Sequence, residues 1–125
     1  MGTKVQTAMV IDDDTDLTMA LATILEARKI HTLEVHTLPE AEAYLNYMKP
    51  TIIFLDNSFP EGLGVNFIRQ IKSYDDEIKI VMMTADPDLW VEEKANAEKI
   101  NFFLKKPFTR NAINGVLDQL NMRKF

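Results

Sequence analysis

Five short apolar runs, each followed by a segment of helical period, constrain the fold of this chain more than any other feature of its sequence. The runs are Ala8–Ile11, Thr32–Val35, Thr51–Leu55, Ile78–Met83 and Phe102–Leu104. Most of them are continuous and do not alternate with polar residues, which is typical of strands covered on both faces in a parallel sheet. We therefore predict five βα units joined by short loops and right-handed crossovers.

The segments between the runs place their apolar residues on one face of a helix. The clearest sets are Leu17, Leu21, Ile24 and Leu25; Val65, Phe67, Ile68 and Ile71; and Ile113, Val116, Leu117 and Leu120. Residues 37–40 form a capping-box pattern, and residues 86–88 and Thr109 carry further signals for the start of a helix. The connections between the predicted strands are therefore expected to be helices.

Strands and helices in this alternation favour one α/β domain covering residues 1–125. The predicted architecture is a doubly wound, flavodoxin-like parallel sheet of five strands, in the order 2-1-3-4-5, with helices on both faces. In such a sheet the order of the strands reverses between strands 1 and 3. Ligands bind beyond the carboxyl ends of these strands, so this edge is where we expect the functional site.

Acidic residues lie at the carboxyl ends of both predicted strands 1 and 3. Asp12, Asp13 and Asp14 follow the first strand, and Asp56 ends the third. Clustered carboxylates repel one another unless a cation neutralises them, and an all-oxygen ligand set suits Mg²⁺. The ends of strands 4 and 5 add a hydroxyl and an ammonium group, from Thr84 and Lys106. Together these groups suit phosphoryl transfer to a carboxylate.

The composition of the chain limits the kinds of partner that the domain is expected to bind. The chain has no cysteine and a formal net charge of −5. It offers neither a disulfide framework nor a thiolate, and its charge disfavours direct binding to nucleic acid. No segment approaches the roughly 20 apolar residues that cross a bilayer, and the N-terminus lacks the apolar region of a signal peptide. We expect a cytoplasmic domain that binds proteins and makes no membrane contact.

These motifs resemble, over essentially the whole chain, the receiver domains of response regulators in two-component, histidine-to-aspartate phosphorelay systems. The matching marks, in order, are Asp12-Asp13, Ile52–Asp56 with Pro60 and Gly64, Thr84-Ala85, and Lys106-Pro107-Phe108. The resemblance implies that Asp56 is the phosphoacceptor. It also implies a Mg²⁺ site in which Asp13, Asp56 and the backbone carbonyl of Ser58 are direct ligands, while Asp12 acts mainly through a bound water.

The resemblance further implies that Thr84 and Lys106 bind the phosphoryl oxygens. Phe103 would be an aromatic switch residue, although a core aromatic is the favoured interpretation of this residue and switching would be added to that role. A sensor histidine kinase or a phosphotransfer protein would be the donor, and the domain would be a signalling module and not an enzyme. Its output domain or effector would lie outside this chain, and a homodimer through helix 4, strand 5 and helix 5 is one expected assembly.

Two other functions use some of the same residues. A phosphatase of the haloacid-dehalogenase type would use Asp12 as its nucleophile, although Thr15 stands one place early for that motif. A pseudo-receiver would keep the fold without phosphorylation, but none of the key side chains of a phosphorylatable receiver is replaced in this chain. Ser58 and Asp86 occupy positions thought to tune the lifetime of the phosphoryl group, so this lifetime stays open. Trp90 reads equally as a partner contact or a packing residue.

Overall fold

The central sheet has the predicted topology. In the computed structural model, which describes residues 5–85 and 88–122, five parallel strands form the sheet in the order β2-β1-β3-β4-β5. The strands are β1 (Thr7–Ile11), β2 (His31–Val35), β3 (Ile52–Asp56), β4 (Lys79–Thr84) and β5 (Phe102–Lys105). Each predicted run matches its strand to within a residue at either end. The order of the strands therefore reverses between β1 and β3, as expected.

Five helices connect and follow the strands in the described part of the chain. They are α1 (Thr15–Ala27), α2 (Leu38–Leu45), α3 (Ile68–Tyr74), α4 (Leu89–Ala97) and α5 (Arg110–Gln119), with a 3-10 turn at Gly64–Phe67 leading into α3. Side chains cap four of them at the N-terminus by accepting a backbone N–H; these residues are Asp14, Thr37, Asp88 and Thr109. The remaining part of the predicted start of α4, residues 86–87, lies outside the described residues.

The continuous apolar runs arise because the central strands are covered on both faces. In β3, Ile53 and Leu55 face one hydrophobic cluster with α2, α3 and α4, whereas Ile52 and Phe54 face a second cluster with α1 and α5. All of these side chains are fully buried. Helices therefore cover both faces of the sheet and leave its carboxyl edge for the loops. None of the described helices has the length and apolar character needed to cross a membrane.

A small hairpin follows β3 and was not predicted. Ser58–Phe59 pairs antiparallel with Gly62–Leu63. In the turn between them, the Glu61 carboxylate accepts the backbone N–H of Leu38 at 2.7 Å and so fastens the hairpin to the first turn of α2. Strands of two residues are too short to show a periodicity, which explains why the hairpin could not be predicted from the sequence. Its position matters because it borders the carboxyl end of β3.

Candidate functional site

The loops after β1, β3, β4 and β5 surround a pocket of about 680 Å³ at the carboxyl edge of the sheet. Six predicted site residues line it: Asp12, Asp13, Asp56, Ser58, Thr84 and Lys106. The strand order explains this convergence, because parallel strands end at the same edge and β1 and β3 are neighbours. The structure therefore brings together the predicted metal-binding, acceptor and phosphoryl-binding residues in one place.

Three carboxylates form the acidic part of the pocket. Oxygen atoms of Asp12, Asp13 and Asp56 all lie within 4.8 Å of one another. Asp12 is 1% exposed and Asp56 is 5% exposed, whereas Asp13 faces solvent. A backbone hydrogen bond also fixes the Asp12 side chain, because its Oδ1 accepts the N–H of Asp14 at 3.0 Å. The oxygen-only set and its spacing fit a hard divalent cation that keeps part of its water shell.

Lys106 neutralises two of these carboxylates. Its Nζ donates to Asp12 Oδ2 at 2.6 Å and to Asp56 Oδ1 at 3.0 Å. The loop that carries it is fixed by the backbone N–H of Lys106, which donates to the carbonyl of Thr84 at 2.8 Å. Because the ammonium group is largely buried and its partners are carboxylates, these hydrogen bonds are charge-assisted and hold the side chain between Asp12 and Asp56.

The environment shifts the pKa values of both partners. Burial raises the pKa of Asp56, and the nearby charge of Asp12 adds to this rise, while the hydrogen bond from Lys106 opposes it. For Lys106, burial favours the neutral amine, but hydrogen bonds to Asp12 and Asp56 prevail and raise its pKa above the ordinary value. Lys106 is therefore a cation at neutral pH, and the Asp56 carboxylate is more basic than an exposed aspartate.

Asn57 fixes the loop that follows Asp56, a role that the sequence analysis missed. The residue is 6% exposed. Its N–H donates to Met83 O at 3.2 Å, its carbonyl accepts the N–H of Gly64 at 2.8 Å, and its side-chain Oδ1 accepts the N–H of Val65 at 3.0 Å. The hairpin that contains Ser58 is thus closed at its base. An asparagine directly after a buried strand was the available signal, since this side chain often bonds nearby backbone.

Thr84 lines the pocket, whereas Phe103 does not. Thr84 is 6% exposed, ends β4 and lines the pocket. Phe103 does not line it; this half-buried ring packs against the hydrophobic cluster that includes Val91 and Ala95 of α4. It pairs with Met82, two residues before Thr84 on the neighbouring strand. Phe103 therefore packs against the core on the strand next to Thr84 and is not part of the pocket wall.

The pocket also has apolar lining residues. Leu63 of the hairpin and Trp90 of α4 both line it, and they are 37% and 54% exposed. Trp90 follows the α4 cap Asp88, which lines the pocket as well. The sequence left open whether Trp90 contacts a partner or packs. Its exposure and position show that it is a wall of the pocket and not a core residue.

Comparison with known proteins identifies the same family that the sequence motifs resemble. The family model described as the response regulator receiver domain matches residues 8–118. The KDP operon transcriptional regulatory protein KdpE of Escherichia coli (strain K12) is 25% identical over 100 residues, which are 80% of this chain and 44% of that protein. The chain spans less than half the length of the curated relatives it matches.

Solved structures share the fold. A CheY-like receiver domain protein from Methanospirillum hungatei JF-1 has a TM-score of 0.88 at 17% identity, over 94% of this chain and 95% of that one. The beryllofluoride-activated NtrC4 receiver domain dimer has a TM-score of 0.85 at 30% identity, over 90% and 93%. A Burkholderia pseudomallei response regulator with a phosphorylated aspartic acid, a calcium ion and citrate has a TM-score of 0.83 at 21% identity, over 93% and 71%.

The close approach of Gly64 to Asp56 gives a first prediction. A Cβ atom at position 64 would lie 1.9 Å from the backbone oxygen of Asp56. Gly64→Ala must therefore push the loop away, and we expect it to lower the free energy of unfolding by about 1–3 kcal/mol in chemical denaturation. Gly115→Ala is the control, because its Cβ meets nothing within 4 Å; this helical position should gain about 0.5–1 kcal/mol. An unchanged stability in Gly64→Ala would contradict the close approach.

The raised pKa of Asp56 gives a second prediction. Since the folded state disfavours its ionisation, the free energy of unfolding falls as pH rises from the ordinary aspartate pKa, about 3.9, through the higher folded value. Asp56→Asn removes this cost, so its melting temperature in metal-free buffer should exceed that of the wild type at about pH 7. The difference should shrink towards about pH 3, where wild-type Asp56 is protonated.

Circular dichroism across this pH range measures the difference. Asp76→Asn, at an exposed aspartate in the loop before β4, is the matched control and should leave the melting temperature unchanged. A stabilisation of Asp56→Asn that is equal at all pH values would show that ionisation is not its cause.

Proposed function

This chain belongs to the family of response regulator receiver domains, and we propose that it takes a phosphoryl group onto Asp56 in a Mg²⁺-dependent reaction. The proposal is carried by the acidic cluster, in which oxygens of Asp12, Asp13 and Asp56 lie within 4.8 Å of one another and Lys106 bridges two of them. A carboxylate nucleophile, an oxygen-rich cation site and an ammonium group in one pocket suit phosphoryl transfer to an aspartate.

Four residues would hold the metal. Asp13, Asp56 and the backbone carbonyl of Ser58 are the proposed direct ligands, and Asp12 is proposed to act through a bound water. When bound, Mg²⁺ neutralises charge on the oxygens of the transferring phosphoryl group. The Ser58 carbonyl belongs to the hairpin whose base Asn57 closes, so the ligand that comes from the backbone has a fixed support. The calcium ion of the Burkholderia pseudomallei protein, which has a phosphorylated aspartic acid, supports a hard cation here.

The reaction itself needs little covalent chemistry from the chain. A carboxylate oxygen of Asp56 forms a bond to phosphorus while the bond between phosphorus and the donor breaks, and the leaving group keeps that electron pair. Lys106 stays protonated because its pKa is raised, and with the Thr84 hydroxyl it donates hydrogen bonds to the phosphoryl oxygens. The domain thus assists its own phosphorylation but acts as a signalling module and not as an enzyme.

The donor and the output lie outside this chain. A sensor histidine kinase or a phosphotransfer protein is the proposed donor. The curated relatives that match the chain are more than twice as long, which supports an output domain or a separate effector. The 30% identical NtrC4 receiver forms a dimer, which supports a homodimer, for which we propose the surface of α4, β5 and α5.

Phosphorylation is proposed to change that same surface. A phosphoryl group on Asp56 adds acceptor oxygens next to Lys106 and Thr84. Movement of Thr84 towards them would open space beneath the loop between β4 and α4. Phe103 packs against the hydrophobic cluster that includes residues of α4 and has no hydroxyl that would lose a partner, so its ring can enter that space. A coupling of about 1–3 kcal/mol is typical of such two-state switches.

The phosphatase alternative would place the phosphoryl group on Asp12. Membership of the receiver family favours Asp56 instead. Asp12 is also the less available group, because it is 1% exposed and both of its oxygens accept hydrogen bonds, one from Asp14 N and one from Lys106 Nζ. A pseudo-receiver is disfavoured because the pocket contains all the side chains that the reaction requires.

Phosphorylation of Asp56 is the direct test. With Mg²⁺ and acetyl phosphate, the wild type should gain one base-labile phosphoryl group, detected by intact mass. Asp56→Asn should abolish it, whereas His31→Ala, at a histidine that does not line the pocket, should leave it unchanged. Mg²⁺ should also raise the melting temperature by mass action, and Asp13→Asn should remove most of that gain. An acylphosphate mapped to Asp12 would overturn the receiver function.

The switch is tested by amide shifts in two-dimensional NMR, with and without beryllofluoride as a phosphoryl mimic. In the wild type, shifts should extend from the pocket to α4 and β5. Lys106→Ala should still be phosphorylated on Asp56, more slowly, but its shifts in α4 and β5 should be much smaller because one hydrogen-bond donor to the mimic is gone. Wild-type shifts confined to the loops around Asp12, Asp56 and Lys106 would contradict the proposed switch.

A further inference from the structure

The exposed apolar residues that line the pocket have no role in the reaction described above. Trp90 lies in the first turn of α4 and Leu63 at the end of the hairpin, and both line the pocket that contains Asp56. Trp90 is 54% exposed and Leu63 is 37% exposed, so neither is buried in the core. Their neighbour Val91 is 4% exposed and anchors this turn of α4 to the hydrophobic cluster beneath. A large aromatic surface is therefore held at the pocket with part of its area open.

Exposed acidic residues line the same pocket. Asp13 and Asp14 are exposed on the loop after β1, and Asp88 is exposed at the start of α4. A leaving group that departs as a carboxylate meets these like charges, which is unfavourable. A flat ring that is cationic before transfer and neutral afterwards meets opposite charges and an aromatic surface, which attracts both cations and other rings. Imidazole is a ring of this kind.

We propose that Trp90, together with Leu63 of the same pocket, is a specificity-determining residue that holds the heteroaromatic ring of a phosphodonor with a P–N bond. The proposal rests on the proposed phosphorylation of Asp56. In the reaction, Asp56 Oδ forms a bond to phosphorus as the P–N bond breaks. The electron pair of that bond returns to the ring nitrogen, and a donor ring protonated on its other nitrogen departs as neutral imidazole. No further proton donor is required.

Three small donors separate the contribution of the ring from that of the bond. Phosphoimidazole has the P–N bond and the ring, phosphoramidate has the bond without the ring, and acetyl phosphate has neither. Trp90→Ala should reduce the rate of phosphorylation by phosphoimidazole about 3- to 10-fold, the size expected for one aromatic contact. Its rates with phosphoramidate and acetyl phosphate should stay within about twofold of the wild type. Intact mass spectrometry at saturating Mg²⁺ measures all three rates without relying on tryptophan fluorescence.

Two variants serve as controls. Trp90→Phe keeps a ring on the wall and should retain most of the rate with phosphoimidazole. Leu89→Ala removes a neighbouring apolar side chain that is 71% exposed but does not line the pocket, and it should behave as the wild type with every donor. An equal loss with all three donors in Trp90→Ala would mean that Trp90 only supports α4, which would overturn the proposal, as would no loss. A wild type that accepts phosphate from no donor would instead refute the function of Asp56.

Discussion

The contact of Lys106 with Asp12 and Asp56 is the interaction on which the rest of the site depends. Two nearly buried carboxylates and a third exposed one share a pocket, and only a cation between them makes their closeness tolerable. Lys106 comes from the loop after β5, two strands away from β3, and its side chain crosses the end of β4 to reach them. The backbone bond from Lys106 to Thr84 ties that loop to β4, so Lys106 is bonded to residues at the carboxyl ends of β1, β3 and β4.

The fold and the main residues of the site followed from the sequence because they depend on simple rules. Continuous apolar runs predicted strands covered on both faces, and the fully buried β3 shows this coverage directly. The carboxyl ends of parallel strands meet at one edge, so the acids after β1 and β3 had to converge once the strand order was known. Resemblance to receiver domains then supplied roles for Thr84, Lys106 and Ser58 that spacing alone could not give.

The missed features are those that local patterns do not encode. Asn57 supports the hairpin through contacts with Met83 and Val65, and Gly64 is required by its closeness to the backbone of Asp56. Both depend on where the loop after β3 folds back, which no periodicity in the sequence reveals. Trp90 was undecided for a similar reason, because the side that a residue in the first turn of α4 presents depends on how that helix sits on the sheet.

The same features that destabilise the domain suit the proposed role of Asp56. Burial and the charge of Asp12 raise the pKa of Asp56, which destabilises the ionised side chain and at the same time makes it more basic, as the proposed nucleophile requires. Asn57 closes the base of the hairpin after Asp56, and Gly64 allows the two backbones to approach closely, so the loop that follows this carboxylate is held in place. An added positive group, such as a metal ion or the cationic ring of a donor, therefore gains from charges that are already in place. Lys106 only partly relieves the repulsion among the carboxylates of this pocket, and the remaining negative charge favours the binding of cationic ligands.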